Sequence, residues 1–139
     1  MLDVLQNLEP RCEEGGTVLL DELDENLEIN FVTKGIVYAG YQLNKHKFNC
    51  LRFQDNCIIG SFGVTFGIRS TIIYTAMTKI EGYFIRRKEW LRIIDDVTNS
   101  ALKANIKQTV FKQYVNEIRS KIDQHKILKK RQYMGRSDH

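Results

Sequence analysis

Apolar positions change their spacing twice along the chain. Met1, Leu2, Val4, Leu5 and Leu8 follow a helical spacing, and Pro10 ends it because its ring forbids a further turn. This predicts a helix stub over 1–10, the last turns of a helix that begins elsewhere. From 16 to about 78 the apolar residues fall instead into short runs, 17–20, 27–32, 36–39, 48–53, 57–59 and 70–76. These runs are rich in β-branched and aromatic residues and are parted by Gly, Asn, Asp or Lys. With 81–85 as one more, they predict an antiparallel β-roll of about eight strands over 11–85.

The spacing becomes helical again over 86–130. Trp90, Leu91, Ile93 and Ile94 share one face of a short helix. Leu102, Ile106, Val110, Tyr114, Ile118 and Ile122 then step by four, with Phe111 and Val115 widening the stripe and neither Gly nor Pro interrupting it. A stripe of that length must cover something apolar. Residues 131–139 read as a flexible tail. The predicted fold is therefore mainly β with flanking helices: a jelly-roll-like β-roll, a short helix, and a long C-terminal helix placed to lid the open end of the roll.

Composition narrows the function. A chain of 139 residues, 42% apolar and with a single proline, fits one domain. No apolar run approaches the ~18 residues of a membrane span, and no signal-like segment opens the chain. The net charge of +4 hides a polarity: nine acids and one base in 1–30 give −8, leaving +12 for the remainder. That split argues for a protein with an acidic shoulder and a basic tail, not for a nucleic-acid binder. Cys12, Cys50 and Cys57 match no zinc or redox spacing and read as free thiols of a reducing compartment. His46, in a basic turn, and His125, on a polar helix end, lack partners at metal-ligand spacing, and Asp95–Asp96 reads as a solvated helix boundary. The basic residues of 126–131 suit a helix C-terminus facing the dipole. No nucleophile comes with a base and an orienting group, so the chain reads as a non-enzyme with no cofactor.

The informative stretch is 59–75. Gly60, Gly63 and Gly67 let the backbone turn tightly, and Arg69 follows at the start of a strand. Backbone N–H groups from such a turn with one guanidinium make an anion site, most naturally for phosphate; the plainer alternative is a Gly-rich hairpin with a surface arginine.

Ile59, Gly60, Ser61, Phe62, Gly63, Val64, a spacer over 65–68, and Arg69, Ser70, Thr71 resemble the phosphate-binding cassette of the cyclic nucleotide-binding domains. Upstream, the acidic turn at Asp24 followed by Ile29, Phe31, Val32 and Gly35 resembles that family's second signature, and the resemblance extends over roughly 1–125. Four departures stand out: Ser61 replaces the glutamate that accepts from the ribose 2′-hydroxyl, Thr71 replaces an alanine, Leu23 a glycine, and the spacer is short.

The resemblance implies cAMP or cGMP as ligand. Arg69 would pair with the cyclic phosphate, helped by the N–H groups of Gly63 and Ser70 and by the Ser70 hydroxyl. Gly60 and Ser61 would face the ribose, with Phe62 and Thr71 in the same cassette. Leu51 and Phe53 would lie against the purine, and Ile118 or Arg119 would cap the base. Residues 81–90 and 111–122 look more like the C-terminal cytoplasmic domain of voltage-gated potassium and cyclic nucleotide-gated cation channels. On that likeness the chain is an excised regulatory domain at the cytoplasmic side of a membrane, whose partners are the rest of a tetrameric channel. Two alternatives stay open: a degenerate, ligand-free domain serving as an interaction or assembly module, and a stand-alone β-roll subunit of a large complex.

Overall fold

The computed structural model describes residues 5–137, with side chains to 132. Eight strands form two four-stranded antiparallel sheets. One has the order β1 (Glu9–Glu13), β8 (Ile80–Arg86), β3 (Glu28–Lys34), β6 (Cys57–Ile59). The other runs β2 (Val18–Leu20), β7 (Ile73–Ala76), β4 (Ile36–Leu43), β5 (His46–Gln54). The β4–β5 hairpin closes through Asn44 and Lys45, both at positive φ (51° and 66°), the two-residue turn whose twist matches the strands. The mainly β roll with flanking helices expected from the run pattern is thus the observed architecture.

The sheets pack face to face. Val32, Ile59 and Ile80 of the first meet Val37, Ala39, Tyr41, Tyr74 and Ala76 of the second in one buried cluster. The period-two alternation of β3 sends Ile29 and Phe31 the other way, where Ile29, Val64 and Ile85 form a second cluster under Trp90 and Ile93. The first sheet is therefore covered on both faces, by its partner sheet and by helices.

Four helices follow the roll's connections: α1 (Ser61–Phe66), α2 (Arg87–Asp95), α3 (Ser100–Tyr114) and α4 (Ser120–Ser137). A π-turn, Val115–Arg119, joins α3 to α4 without a break. Asn99 caps α3, its Oδ1 accepting from the N–H groups of Ala101 (3.0 Å) and Leu102 (3.1 Å).

Several expectations need correction. Leu5 and Gln6 end a helical turn, but Glu9 and Pro10 already belong to β1, and residues 1–4 lie outside the described residues. Proline is tolerated there because β1 pairs only with β8 and forms the sheet edge. The Gly-rich stretch is not a hairpin turn: it contains α1. The long stripe is covered unevenly. No residue of α3 is fully buried, Leu102 and Phe111 are exposed, Ile106, Val110, Tyr114 and Ile118 are half-buried, and cover is complete only at Ile122, 1% exposed. The stretch read as a tail continues α4 to Ser137, so the basic residues of 126–131 lie in mid-helix and not at its C-terminus. Lys126 and Lys129 instead stand 5.3 Å over the rings of Tyr41 and Phe48.

Candidate nucleotide pocket between α1 and the long helix

The chain leaves β6 at Gly60, whose φ of +91° suits glycine and whose Cβ would lie 2.9 Å from the Glu28 carbonyl oxygen. α1 ends at Gly67, again left-handed at φ +66°, with its N–H donated to the Gly63 carbonyl. Trp90 Nε1 donates to Thr65 Oγ1 at 3.0 Å and anchors α1 to α2.

Gly63 faces Asn26. A Cβ at position 63 would fall 1.6 Å from Asn26 Nδ2, so the amide occupies the room that a larger residue would need. Asn26 Nδ2 donates to the Ile68 carbonyl at 3.2 Å, tying the acidic turn to the end of the cassette. Its Oδ1 is buried and has no hydrogen-bond partner among the described residues.

The same turn clamps the arginine. Leu23 donates its N–H to the Ser70 carbonyl (2.7 Å), Ser70 donates its N–H to the Asp24 carbonyl (3.2 Å), and Arg69 Nη1 donates to the Leu23 carbonyl (3.0 Å). A guanidinium carries five N–H donors, and the rest of the Arg69 fork meets no acceptor among the described residues. Ser70 differs from expectation. Its hydroxyl donates to the Ile72 carbonyl (2.5 Å) and accepts from the Ile72 N–H (3.1 Å), so both of its groups expected on phosphate are engaged within the fold.

Gly60, Ser61, Phe62, Gly63, Arg69 and Ser70 line one cavity, together with Tyr114 and Ile118 of the long helix. The wall is completed by residues not singled out in the sequence: Leu20, Asn26, Ile58, Ile68, Tyr74 and Gln113. Burial holds the Tyr74 phenol well above its ordinary value, with smaller contributions from Tyr114 and Cys57, so it lines the cavity as a neutral hydroxyl. The space is only about 40 Å³, against about 300–1,000 Å³ for typical ligand pockets. A wider groove of about 340 Å³ adjoins it, lined by Arg69, Thr71, Arg119, Asp123 and Lys126. The two share Phe62, Ile68, Arg69 and Tyr114. Arg119 and Thr71 thus belong to the groove and not to the cavity. Leu51 and Phe53 line neither; they pack against the inter-sheet core opposite Ala39 and Val37, because β5 is the edge strand farthest from β2 and β7, whose Leu20 and Tyr74 reach the cavity.

The partition between cavity and groove is aromatic. Phe62 and Tyr114 stack with centroids 4.1 Å apart, and Phe66 (5.1 Å) and Phe111 (6.0 Å) surround Phe62. Farther along, Ile122 enters the inter-sheet core and His125 Nδ1 pairs with the Tyr41 hydroxyl at 2.6 Å. His125 is therefore half-buried against the sheet and not a solvated helix-end residue. Among the described residues no cluster of His, Cys, Asp and Glu is placed to hold a metal ion, and no helix is long and apolar enough to cross a membrane.

The architecture is that of solved cyclic nucleotide-binding domains. The chain is similar to the cyclic nucleotide-binding domain from Methylobacillus flagellatus KT, with a TM-score of 0.70 and 15% identity, covering 87% of this chain and 67% of that one. The regulatory domain of Toxoplasma gondii PKA, crystallised with cAMP, gives 0.62 at 13% identity over 66% of this chain and 36% of that one. A cAMP-binding acyltransferase from Mycobacterium smegmatis gives 0.57 at 20% identity, with coverages of 67% and 29%. The chain thus spans about a third of the length of the latter two structures. No family model and no curated protein matches the sequence, so the likeness is one of fold.

Proposed function

We propose that this chain is a non-catalytic regulatory domain that takes a cyclic nucleotide, cAMP or cGMP, between α1 and the long helix. The observation that carries the reading is the placement of Arg69, with most of its fork unpaired, at the junction of a cavity and a groove that both end on the long helix. Arg69 pairs with the phosphate, Ser61 and Gly60 face the sugar, and Ile118 faces the base once the Tyr114 ring has moved aside. The solved domains of this fold that were crystallised with cAMP support the ligand class.

Binding works by population shift. A nucleotide is far larger than 40 Å³, so it is admitted only when Phe62 and Tyr114 part and cavity and groove merge. The ligand then favours whichever position of the long helix it contacts best, and only that difference in affinity can do work on an attached partner. We assign that partner, from the likeness of 81–90 and 111–122 to channel C-terminal domains, to the pore-bearing part and neighbouring subunits of a voltage-gated cation channel, with this domain on its cytoplasmic side.

A second reading is favoured by one observation: the Phe62–Tyr114 stack already fills the space a base would take. On that reading the domain is ligand-free and acts as an interaction or assembly module. Calorimetry with cAMP and cGMP up to millimolar concentration separates the two. Saturable binding lost in Arg69→Ala supports the nucleotide domain; no heat from a folded sample supports the ligand-free module.

A further inference from the structure

The cavity wall contains an acceptor that the fold leaves incomplete. Asn26 is 6% exposed, and its Oδ1 meets no donor among the described residues. The orientation of the amide is not arbitrary. Its nitrogen faces the Ile68 carbonyl at 3.2 Å, and a carbonyl can be met only by the N–H side, so the oxygen must be the end turned away. That oxygen lies toward Gly60, 3.5 Å from where a Cβ on that residue would stand, and Asn26 and Gly60 both line the cavity. The chain gives up a side chain at position 63 to admit the amide. A buried acceptor without a donor is destabilising, and a ligand donor removes that penalty.

We propose that Asn26 Oδ1 is the acceptor for the sugar hydroxyl of the bound nucleotide, in the role left open by the absence of a carboxylate at Ser61. The proposal rests on the reading of this cavity as a nucleotide pocket. The choice of ligand group follows from chemistry. Phosphate oxygens carry lone pairs and charge, and are repelled by an amide oxygen; Arg69 takes them. The base belongs at the Ile118 side. In a 3′,5′-cyclic nucleotide the phosphate occupies O3′ and O5′, which leaves the 2′-hydroxyl as the single sugar donor. A neutral amide therefore makes the pocket select ribose over deoxyribose without a charge.

The test compares cAMP with 2′-deoxy-cAMP by calorimetry on the whole chain and on Asn26→Ala, Ser61→Ala and Arg69→Ala. The wild type is expected to prefer cAMP by about tenfold, one neutral hydrogen bond's worth. Asn26→Ala is expected to bring the two affinities within about twofold, while Ser61→Ala keeps most of the preference. Should Asn26→Ala fail to fold, Asn26→Leu removes the acceptor while keeping most of the volume of the amide beside Gly63. A preference that survives removal of the amide, or that disappears in Ser61→Ala alone, overturns the proposal. So does equal binding of both nucleotides by the wild type, lost in Arg69→Ala; the nucleotide reading then stands without the Asn26 role. Absence of binding to either by folded wild type overturns both.

Discussion

Tyr114, the last residue of α3, lies flat on Phe62 of α1, with ring centroids 4.1 Å apart and planes 5° from parallel. Such a pair contributes about 0.5–1.5 kcal/mol beyond the area it buries, and a nucleotide must displace it. Tyr114→Ala is therefore expected to bind cAMP about two- to tenfold more tightly than wild type by calorimetry. Weaker binding would mean that the ring holds the ligand and does not compete with it.

Gly63 and Asn26 are a matched pair. A methyl group at position 63 meets Asn26 Nδ2 at 1.6 Å, inside any tolerable contact. Gly63→Ala is expected to destabilise the domain by about 1–3 kcal/mol, as overpacking does, and Asn26→Gly in the same chain is expected to recover only part of the loss, because the new methyl group still stands 2.7 Å from the Ile68 carbonyl oxygen. Urea unfolding of the two single variants and the double variant gives the coupling directly.

The C-terminal helix meets the sheets through Ile122 in the core and His125 on Tyr41. Tyr41→Phe deletes the hydroxyl that pairs with His125 Nδ1 at 2.6 Å while keeping the ring. A loss of about 0.5–1.5 kcal/mol is expected. Amide exchange should rise in α4 around Ile122 and stay unchanged in β3 and β8.

Burial pushes the Cys57 thiol up to about 11 from its ordinary 9.0, the nearby Asp55 charge adding to the rise. Between those two values the unfolded chain has lost the proton and the folded chain keeps it, so stability falls as pH rises through that interval. Denaturant midpoints at pH 8, 9, 10 and 11 should drop. The drop should be shallower in Cys57→Ala, with the remainder owed in part to Cys50 and Tyr74, whose burial shifts them the same way.

The strands were legible because β-branched and aromatic runs broken by turn residues have few other uses, and runs such as 57–59 and 81–85 fall on or within β6 and β8. α1 was not legible. Its six residues include Gly63, Val64 and Thr65, all poor helix formers, and it exists because left-handed glycines at 60 and 67 bracket it and Trp90 holds Thr65. Arg69 could be picked out by its neighbours in sequence. Asn26 could not, since its role depends on a glycine that is distant in the chain and on a carbonyl it meets only in the folded roll. Leu51 and Phe53 point inward as their alternation implies, yet alternation says nothing about a strand's place within its sheet, and β5 lies at the edge opposite β2 and β7, whose Leu20 and Tyr74 line the cavity.

The π-turn between Tyr114 and Ile122 gives the stripe of apolar residues its meaning. In an unbroken α-helix, positions eight apart stand about 80° apart around the axis, so a side chain stacked on Phe62 and one buried between the sheets would not share a face. At Val115–Arg119 the Ser120 N–H reaches back to the Val115 carbonyl, and that wider loop absorbs the drift. The step of four along the stripe is a misfit to 3.6 residues per turn, and the misfit is where the helix corrects its phase. Removing one residue there, Asn116 for instance, would let the wide turn close to an ordinary one, and the two positions, then seven apart, would stand about 700° apart and so still share a face. Ile122 and His125 would then keep facing the roll, whereas one residue added to the already widened turn would swing them about 100° away and part the helix from the sheets without losing a helical turn.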